Sequence, residues 1–448
     1  MRSLFWVALA TLFLVQAADK KTPRERKLYV GKDSVEATMT FDGSVEFEAD
    51  AHPSKPLAHQ KIEDQLMHLF GPMGEARYYA VPKGDHDVTL GKIEKSDEGT
   101  YKVHYKYSGT IVVKVPKKGL RPTYKITLPI NPDTIYEAGT VETQSGAEKH
   151  PCTDEHYDGE GDFWYFWNPK QTGCPLKEGT DYVRIAAKVK KHDNTRITFP
   201  DYARMKNKDG DISMSILIGM DDPEESDRDP LLSTDENAVT YVTIANDLEK
   251  KGYSRRLWSR EEIRAVADTV RPYPYVEEFE KKFDKAVIRV RLFFGETGID
   301  QKSGPFHYFF RDSLQKDAVM IYDGHSGLGG HLDLATIESL HGFKIQLPKD
   351  RYQVYFFNSC SSYSYYNTMY FSRKATDADP RGIKNLEILT NGLATFFTVM
   401  HNTNLEVLGA VEAWASGKAS VSYQALAKHV DSGNLFGVNG DEDNPKRP

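Results

Sequence analysis

The sequence has few cysteines, no excess of basic charge and, beyond its first residues, no long apolar run. Lys and Arg number 58 against 65 Asp and Glu, for a net charge of −7. Nucleic acid or an anionic membrane surface would want a basic face, so neither is an expected partner. The later apolar runs are too short or too charged to span a bilayer, which argues against a membrane span. Only three cysteines occur, Cys152, Cys174 and Cys360. The two that are close in sequence are expected to pair in an oxidising compartment. They enclose DFWYFWNPKQTG, and Cys360 is left as a free thiol. The plain reading of such a thiol is a small buried hydrophobe; in an exported protein, reactivity is the competing reading.

What is present begins with MRSLFWVALATLFLVQAADKK, a basic start, an apolar run and small residues, which reads as a secretory signal over residues 1–17 with cleavage after Ala17 or Ala18. The remainder is expected to be soluble and exported, periplasmic or extracellular. A chain of 448 residues exceeds a comfortable single core, so two domains are expected.

Residues 18–220 read as a β-rich, sandwich-like N-terminal domain. Alternating segments such as VEATMTFDGSVEFEAD and YKVHYKYSG–TIVVKVPKKG are broken by Asp-Gly and Ser-Gly, as in hairpins, and HQKIEDQLMHLFG has helical spacing. Residues 221–237 form an acidic stretch that reads as a solvated linker. Its carboxylates are of the type that binds calcium, but their spacing matches no ligand loop, so no metal or cofactor is expected. From residue 238 to 448 strands alternate with helices, which predicts a mostly parallel sheet with helices on both faces. AVTYVTIAND, AVIRVRLFFGE, AVMIYDGH and YQVYFFNSC read as successive strands, with LEVLGAVEAW as a later one. SREEIRAVADTV, PFHYFFRDSLQKD and LATIESLHG read as helices, the first capped by Ser259 with Glu262 three residues on.

Two runs carry the chemistry. AVMIYDGHSGLGG and YQVYFFNSCSS are short, apolar and β-branched or aromatic, and each stops at small polar residues. The first delivers His325 to a strand's carboxyl end and the second delivers Cys360. The crevice outside those ends is where open α/β sheets place their ligands. An imidazole beside a thiol raises its thiolate fraction and later returns the proton to a leaving group. The N–H groups of Cys360, Ser326 and Gly327 are candidate oxyanion donors.

YDGHSG and FFNSCSS resemble the hydrophobic-block-then-His and hydrophobic-block-then-Cys motifs of the caspase-like (clan CD) cysteine peptidases, most closely in the separase and CHAT style. That resemblance covers about Asp235 to Gly440 and implies a caspase-like α/β domain. It also implies an endopeptidase acting on protein or peptide substrates, with Cys360 as nucleophile and His325 as general base and acid. Ser326 departs from the family, which usually has Gly after the His.

Two alternatives stand beside this reading. One is a catalytically inactive caspase-like binding or scaffold protein. The other is a serine hydrolase of α/β-hydrolase type using Ser326, since GHSGLGG nearly spells a nucleophile elbow, with Leu328 where Gly is needed. His325, His331 and Asp333 lack the spacing of a recognised metal site. Asp323, Asn358, Ser361 and Tyr363 are candidate substrate contacts, although strand-end turn chemistry for Asp323 and core-facing helix packing for Tyr363 are the simpler accounts.

Overall fold

The computed structural model describes residues 34–74, 79–96, 99–115, 119–192, 197–224, 226–267, 272–300, 303–395, 397–430 and 434–440. The expected signal segment lies outside the described residues.

The N-terminal half is built from β1 (Ser34–Glu48), α1 (Lys55–Met67), α2 (Phe70–Gly74), β2 (Ala80–Lys95), β3 (Thr100–Lys114), β4 (Thr123–Pro129) and α3 (Ile135–Gly139), then a small hairpin of β5 (Val141–Glu142) and β6 (Glu148–Lys149), and β7 (Tyr182–Lys191). Its sheet is five-stranded and antiparallel, in the order β2-β3-β1-β7-β4. One face packs on α1 and α2 through Ile62, Leu66, Leu69 and Met73, so a helical layer stands where a second sheet was expected. The expected hairpins are single long strands: β1 passes through Asp42-Gly43, and β3 through Ser108-Gly109. Both glycines make room for rings. A Cβ on Gly43 would sit 2.4 Å from Tyr105 Cζ, and one on Gly109 2.1 Å from Tyr107 Oη. A strand glycine at a point of close approach reads as a turn in sequence, and this is why the expectation failed.

The C-terminal half runs β8 (Asp211–Gly219), α4 (Glu236–Lys250), β9 (Ser254–Leu257), α5 (Arg260–Val266), β10 (Tyr275–Lys282), β11 (Val287–Gly295), α6 (Gly304–Lys316), β12 (Val319–Asp323), α7 (Leu334–His341), β13 (Gln353–Asn358), α8 (Ser362–Tyr365), α9 (Thr368–Lys374), β14 (Leu386–Thr390), α10 (Phe397–Ala415), α11 (Tyr423–Val430) and β15 (Gly437–Asn439). The eight strands form one sheet in the order β15-β14-β13-β12-β8-β11-β10-β9. Its five central strands are parallel and its edges antiparallel. Ile216, Ile321 and Phe356 point to one face, into a core with Tyr241 of α4 and Leu408 of α10. Leu217, Tyr322 and Phe357 point to the other, against Phe306 of α6 and Ile337 of α7. Two covered faces explain why these strands are apolar throughout rather than alternating.

The sheet reaches across the expected boundary at residue 220. β8 lies between β11 and β12 at its centre, and the acidic segment joins β8 to α4 within the same unit. AVTYVTIAND, expected as a strand, lies in α4, whose cap Asp235 accepts the Asn237 N–H and whose Ala238, Tyr241, Ile244, Ala245 and Leu248 are buried at helical spacing. LEVLGAVEAW likewise lies in α10. Ser259 and Glu262 form the capping box expected at the start of α5.

The two halves interlock just beyond Cys360. Tyr363 Oη donates to Glu36 Oε1 at 2.8 Å, Ser364 Oγ to the Pro82 carbonyl at 2.6 Å, and Lys83 Nζ to Asn439 Oδ1 at 2.7 Å. Val81, Val112, Tyr363 and Leu435 form an apolar cluster around these bonds. No helix among the described residues is long and apolar enough to cross a membrane.

Candidate active site

β12 and β13 are parallel neighbours whose last paired residues are Asp323 and Asn358. Both strands are fully buried along their length. His325 and Cys360 each follow two residues after that last pair. With neighbouring strands about 4.8 Å apart, His325 and Cys360 leave the sheet at adjacent strand ends. Among the described residues no hydrogen bond joins them, the thiol's bonds being to Thr395.

The His325 ring is 45% exposed, and its Nε2 lies 2.6 Å from Asp221 Oδ1. Asp221 follows the end of β8, the strand on the other side of β12. Asp235 holds that turn by accepting the N–H groups of Asp221 and Asp222 at 2.8 and 2.9 Å. A carboxylate on one ring nitrogen fixes the tautomer and orientation of an imidazole. The His325 backbone is fixed too, because Tyr322 Oη donates to its carbonyl at 2.6 Å. Gly324 permits this approach: a Cβ there would lie 2.8 Å from the Tyr322 hydroxyl.

Beyond His325 the chain turns through left-handed residues at Gly327, Leu328 and Gly329. A Cβ on Gly327 would meet the His331 ring at 2.1 Å. Tyr366 Oη closes the turn by donating to the Ser326 carbonyl at 3.0 Å. Ser326 itself is buried with ordinary right-handed backbone. Asp333 caps α7 through the Thr336 N–H at 2.7 Å. Burial and the nearby His325 push His331 down to about 4. Among the described residues no group of three or more His, Cys, Asp or Glu side chains is arranged to hold a metal.

Cys360 is partly exposed and is the free cysteine, while Cys152 and Cys174 form the expected disulfide. Its Sγ receives the Thr395 N–H at 3.3 Å. Burial pushes the thiol pKa up, opposed by that N–H and by its own. Ser361 follows in the left-handed conformation at φ 49°, ψ 24°.

The other expected contacts face inward. Asp323 is buried and bonded to Asn404 Nδ2, and burial raises its carboxyl to about 7. Asn358 donates to Asn404 Oδ1 at 2.9 Å and accepts from Asn391 Nδ2 at 2.8 Å. Tyr363 serves the interface between the halves, and Ser361 Oγ lies 2.6 Å from Tyr165 Oη. Asp221, Thr395 and Tyr165 were not singled out from sequence. Asp221 lay in a stretch read as linker, and its one signal was the apolar run ISMSILIGM directly before it, which marks a strand end.

A thiol, an imidazole and a carboxylate thus follow the ends of three adjacent strands, β13, β12 and β8, and of the three only the imidazole and the carboxylate are in hydrogen-bond contact. No family model, curated protein or solved structure matches the chain at a significant level.

Proposed function

We propose that the protein is an exported cysteine endopeptidase of caspase-like type. The observation that carries this reading is the equal overhang of His325 and Cys360 beyond two paired parallel strands, with the Asp221 carboxylate on the imidazole Nε2. The order of the parallel strands supports it. In chain order β8, β11, β12 and β13 are the first to fourth, and they lie β11-β8-β12-β13 in the sheet. The His therefore ends the third and the Cys the fourth, as the motif resemblance implies. The disulfide is compatible with an oxidising compartment.

In this reading Asp221 holds His325 by Nε2, and Nδ1 takes the Cys360 proton. Sulfur then bonds to the scissile carbonyl carbon, and the oxyanion forms against the N–H groups of Cys360 and of Ser326 or Gly327. The imidazolium protonates the leaving amine as the C–N bond breaks. Water, deprotonated by the same ring, hydrolyses the thioester and restores the thiol.

One observation favours the second reading, a caspase-like scaffold without activity: the Cys360 thiol donates to the Thr395 carbonyl at 3.8 Å, and burial raises its pKa. Labelling with peptidyl acyloxymethyl ketones of varied sequence separates the two. The peptidase is expected to be modified at Cys360, with Cys360→Ser abolishing labelling and His325→Ala slowing it by about 10²-fold or more. Folded wild-type protein inert to the whole panel, or equal labelling without His325, would refute the peptidase.

A further inference from the structure

The segment closed by Cys152 and Cys174 belongs to the N-terminal half, yet it reaches the residue after the candidate nucleophile. Tyr165 Oη lies 2.6 Å from Ser361 Oγ, and both residues are buried. We propose that Tyr165 is a positioning residue: it holds Ser361 in its left-handed conformation and so sets the direction of the Cys360 thiol. This rests on the peptidase reading above.

A non-glycine residue in the left-handed region is strained and persists only where its surroundings over-determine it. Ser361 is constrained on several sides. Its N–H donates to the Leu393 carbonyl at 3.1 Å, and its carbonyl accepts the Ser364 N–H at 2.9 Å. Downstream, α8 is pinned to the N-terminal half through Tyr363 and Ser364. Upstream, β13 is locked in the sheet. With both flanks fixed, a backbone rotation at Ser361 must be absorbed by Cys360, which redirects its Sγ. The Tyr165 hydroxyl is the side-chain restraint on that rotation.

Tyr165 is itself held rigidly. Its ring lies 5.3 Å from Tyr157, 4.6 Å from Phe166 and 6.1 Å from Phe70. Asn168 N–H donates to the Cys152 carbonyl at 2.7 Å, and Gln171 Nε2 to the Thr153 carbonyl at 2.9 Å. A Cβ on Gly71 would lie 2.1 Å from the Trp167 carbonyl oxygen, so α2 presses directly on this segment. Burial keeps the phenol protonated, and a thiolate at Cys360 would raise its pKa further. Tyr165 therefore stays a neutral hydroxyl across the working range and acts through its position.

Because Cys152 and Cys174 are bonded to each other, iodoacetamide reads Cys360 in the intact protein. The pH–rate profile of alkylation is measured for wild type, Tyr165→Phe, Tyr165→Phe with Ser361→Gly, and His325→Ala. Tyr165→Phe is expected to shift the profile and slow the reaction at neutral pH by about tenfold, the scale set by release of one strained residue. Glycine adopts the left-handed conformation without restraint, so the double variant is expected to return to the wild-type profile. A Tyr165→Phe profile that superimposes on wild type overturns the proposal. A shift that Ser361→Gly fails to reverse overturns it as well, because the hydroxyl would then act by another route. A His325→Ala profile matching wild type instead sinks the peptidase reading, a failure separate from the Tyr165 result.

Discussion

Asp323 and Asn358 face each other as the last paired residues of β12 and β13, and both side chains turn inward onto Asn404. Asn391 continues the chain: its Nδ2 donates to Asn358 Oδ1 at 2.8 Å and to Thr395 Oγ1 at 3.1 Å. The N–H of that same Thr395 faces the Cys360 sulfur. A buried polar ladder thus runs beneath the candidate site from the strand of the imidazole to the loop that touches the thiol. Such ladders fix one arrangement because each unmade bond is costly in a low-dielectric interior. The weak point is Asp323, whose Oδ1 has no partner among the described residues.

Asp323 makes stability fall as pH rises. Burial raises its carboxyl from 3.8 to about 7. Below pH 4 it is protonated in both folded and unfolded chains. Between pH 4 and 7 the unfolded chain ionises while the folded one resists, and the resulting loss is complete above pH 7. The span corresponds to at most roughly 4 kcal/mol. Asp323→Asn keeps an acceptor for Asn404 without the charge. It is expected to raise the urea midpoint at pH 8 and to leave it nearly unchanged at pH 4. An equal effect at both pH values would show that the carboxyl is not the destabilising group.

Asp221 is expected to govern His325 without touching a substrate's reacting atoms. Asp221→Asn retains the shape but presents either an amide donor or a weaker acceptor to Nε2. Loss of about 10²-fold or more in kcat/KM on a fluorogenic peptide is expected, with the fall in kcat and not in KM. The thermal midpoint should move little, since an exposed pair contributes at most about 1 kcal/mol. A change confined to KM would reassign Asp221 to substrate binding.

What the sequence made legible follows from which contacts are local. Continuous apolar runs ending in small residues located β12 and β13, because burial on both faces demands that pattern. The Ser259–Glu262 cap and the Cys152–Cys174 pair were legible for the same reason, as each is settled within a short stretch. Asp221 was hidden because its role depends on β8 inserting between β11 and β12, a long-range pairing that local pattern does not encode. Gly43 and Gly109 misled because a glycine under a tyrosine ring and a glycine in a turn read alike. Val239 and its neighbours look like a strand by their β-branched residues, but the Asp235 cap and the burial spacing of α4 prevail.

The bond from Tyr363 to Glu36 ties the two halves together beside the candidate nucleophile. Tyr363→Phe removes a buried donor to a buried carboxylate, which is expected to cost about 1–3 kcal/mol. The loss should appear as a lower denaturant midpoint together with slower alkylation of Cys360. Loss of stability with an unchanged thiol would separate the interface from the site.

The histidines of the α6–α7 side give the opposite pH dependence to Asp323. His307 is fully buried, its Nδ1 lies 2.6 Å from His341 Nε2, and burial with the neighbouring His341 lowers it to about 4 from 6.5. The pair holds together as a neutral donor and acceptor, and protonating His307 would place a buried cation beside His341. Its contribution is fully present above pH 6.5 and is lost as pH falls through 4, by about 3 kcal/mol at most. His307→Gln can keep a hydrogen bond to His341 without titrating. It is expected to reduce the drop in denaturant midpoint between pH 7 and pH 4.5, while lowering the value at pH 7 through poorer packing. An unchanged acid slope in that variant would place the acid sensitivity on other groups, of which buried His68, lowered to about 4 by desolvation, is the next to replace.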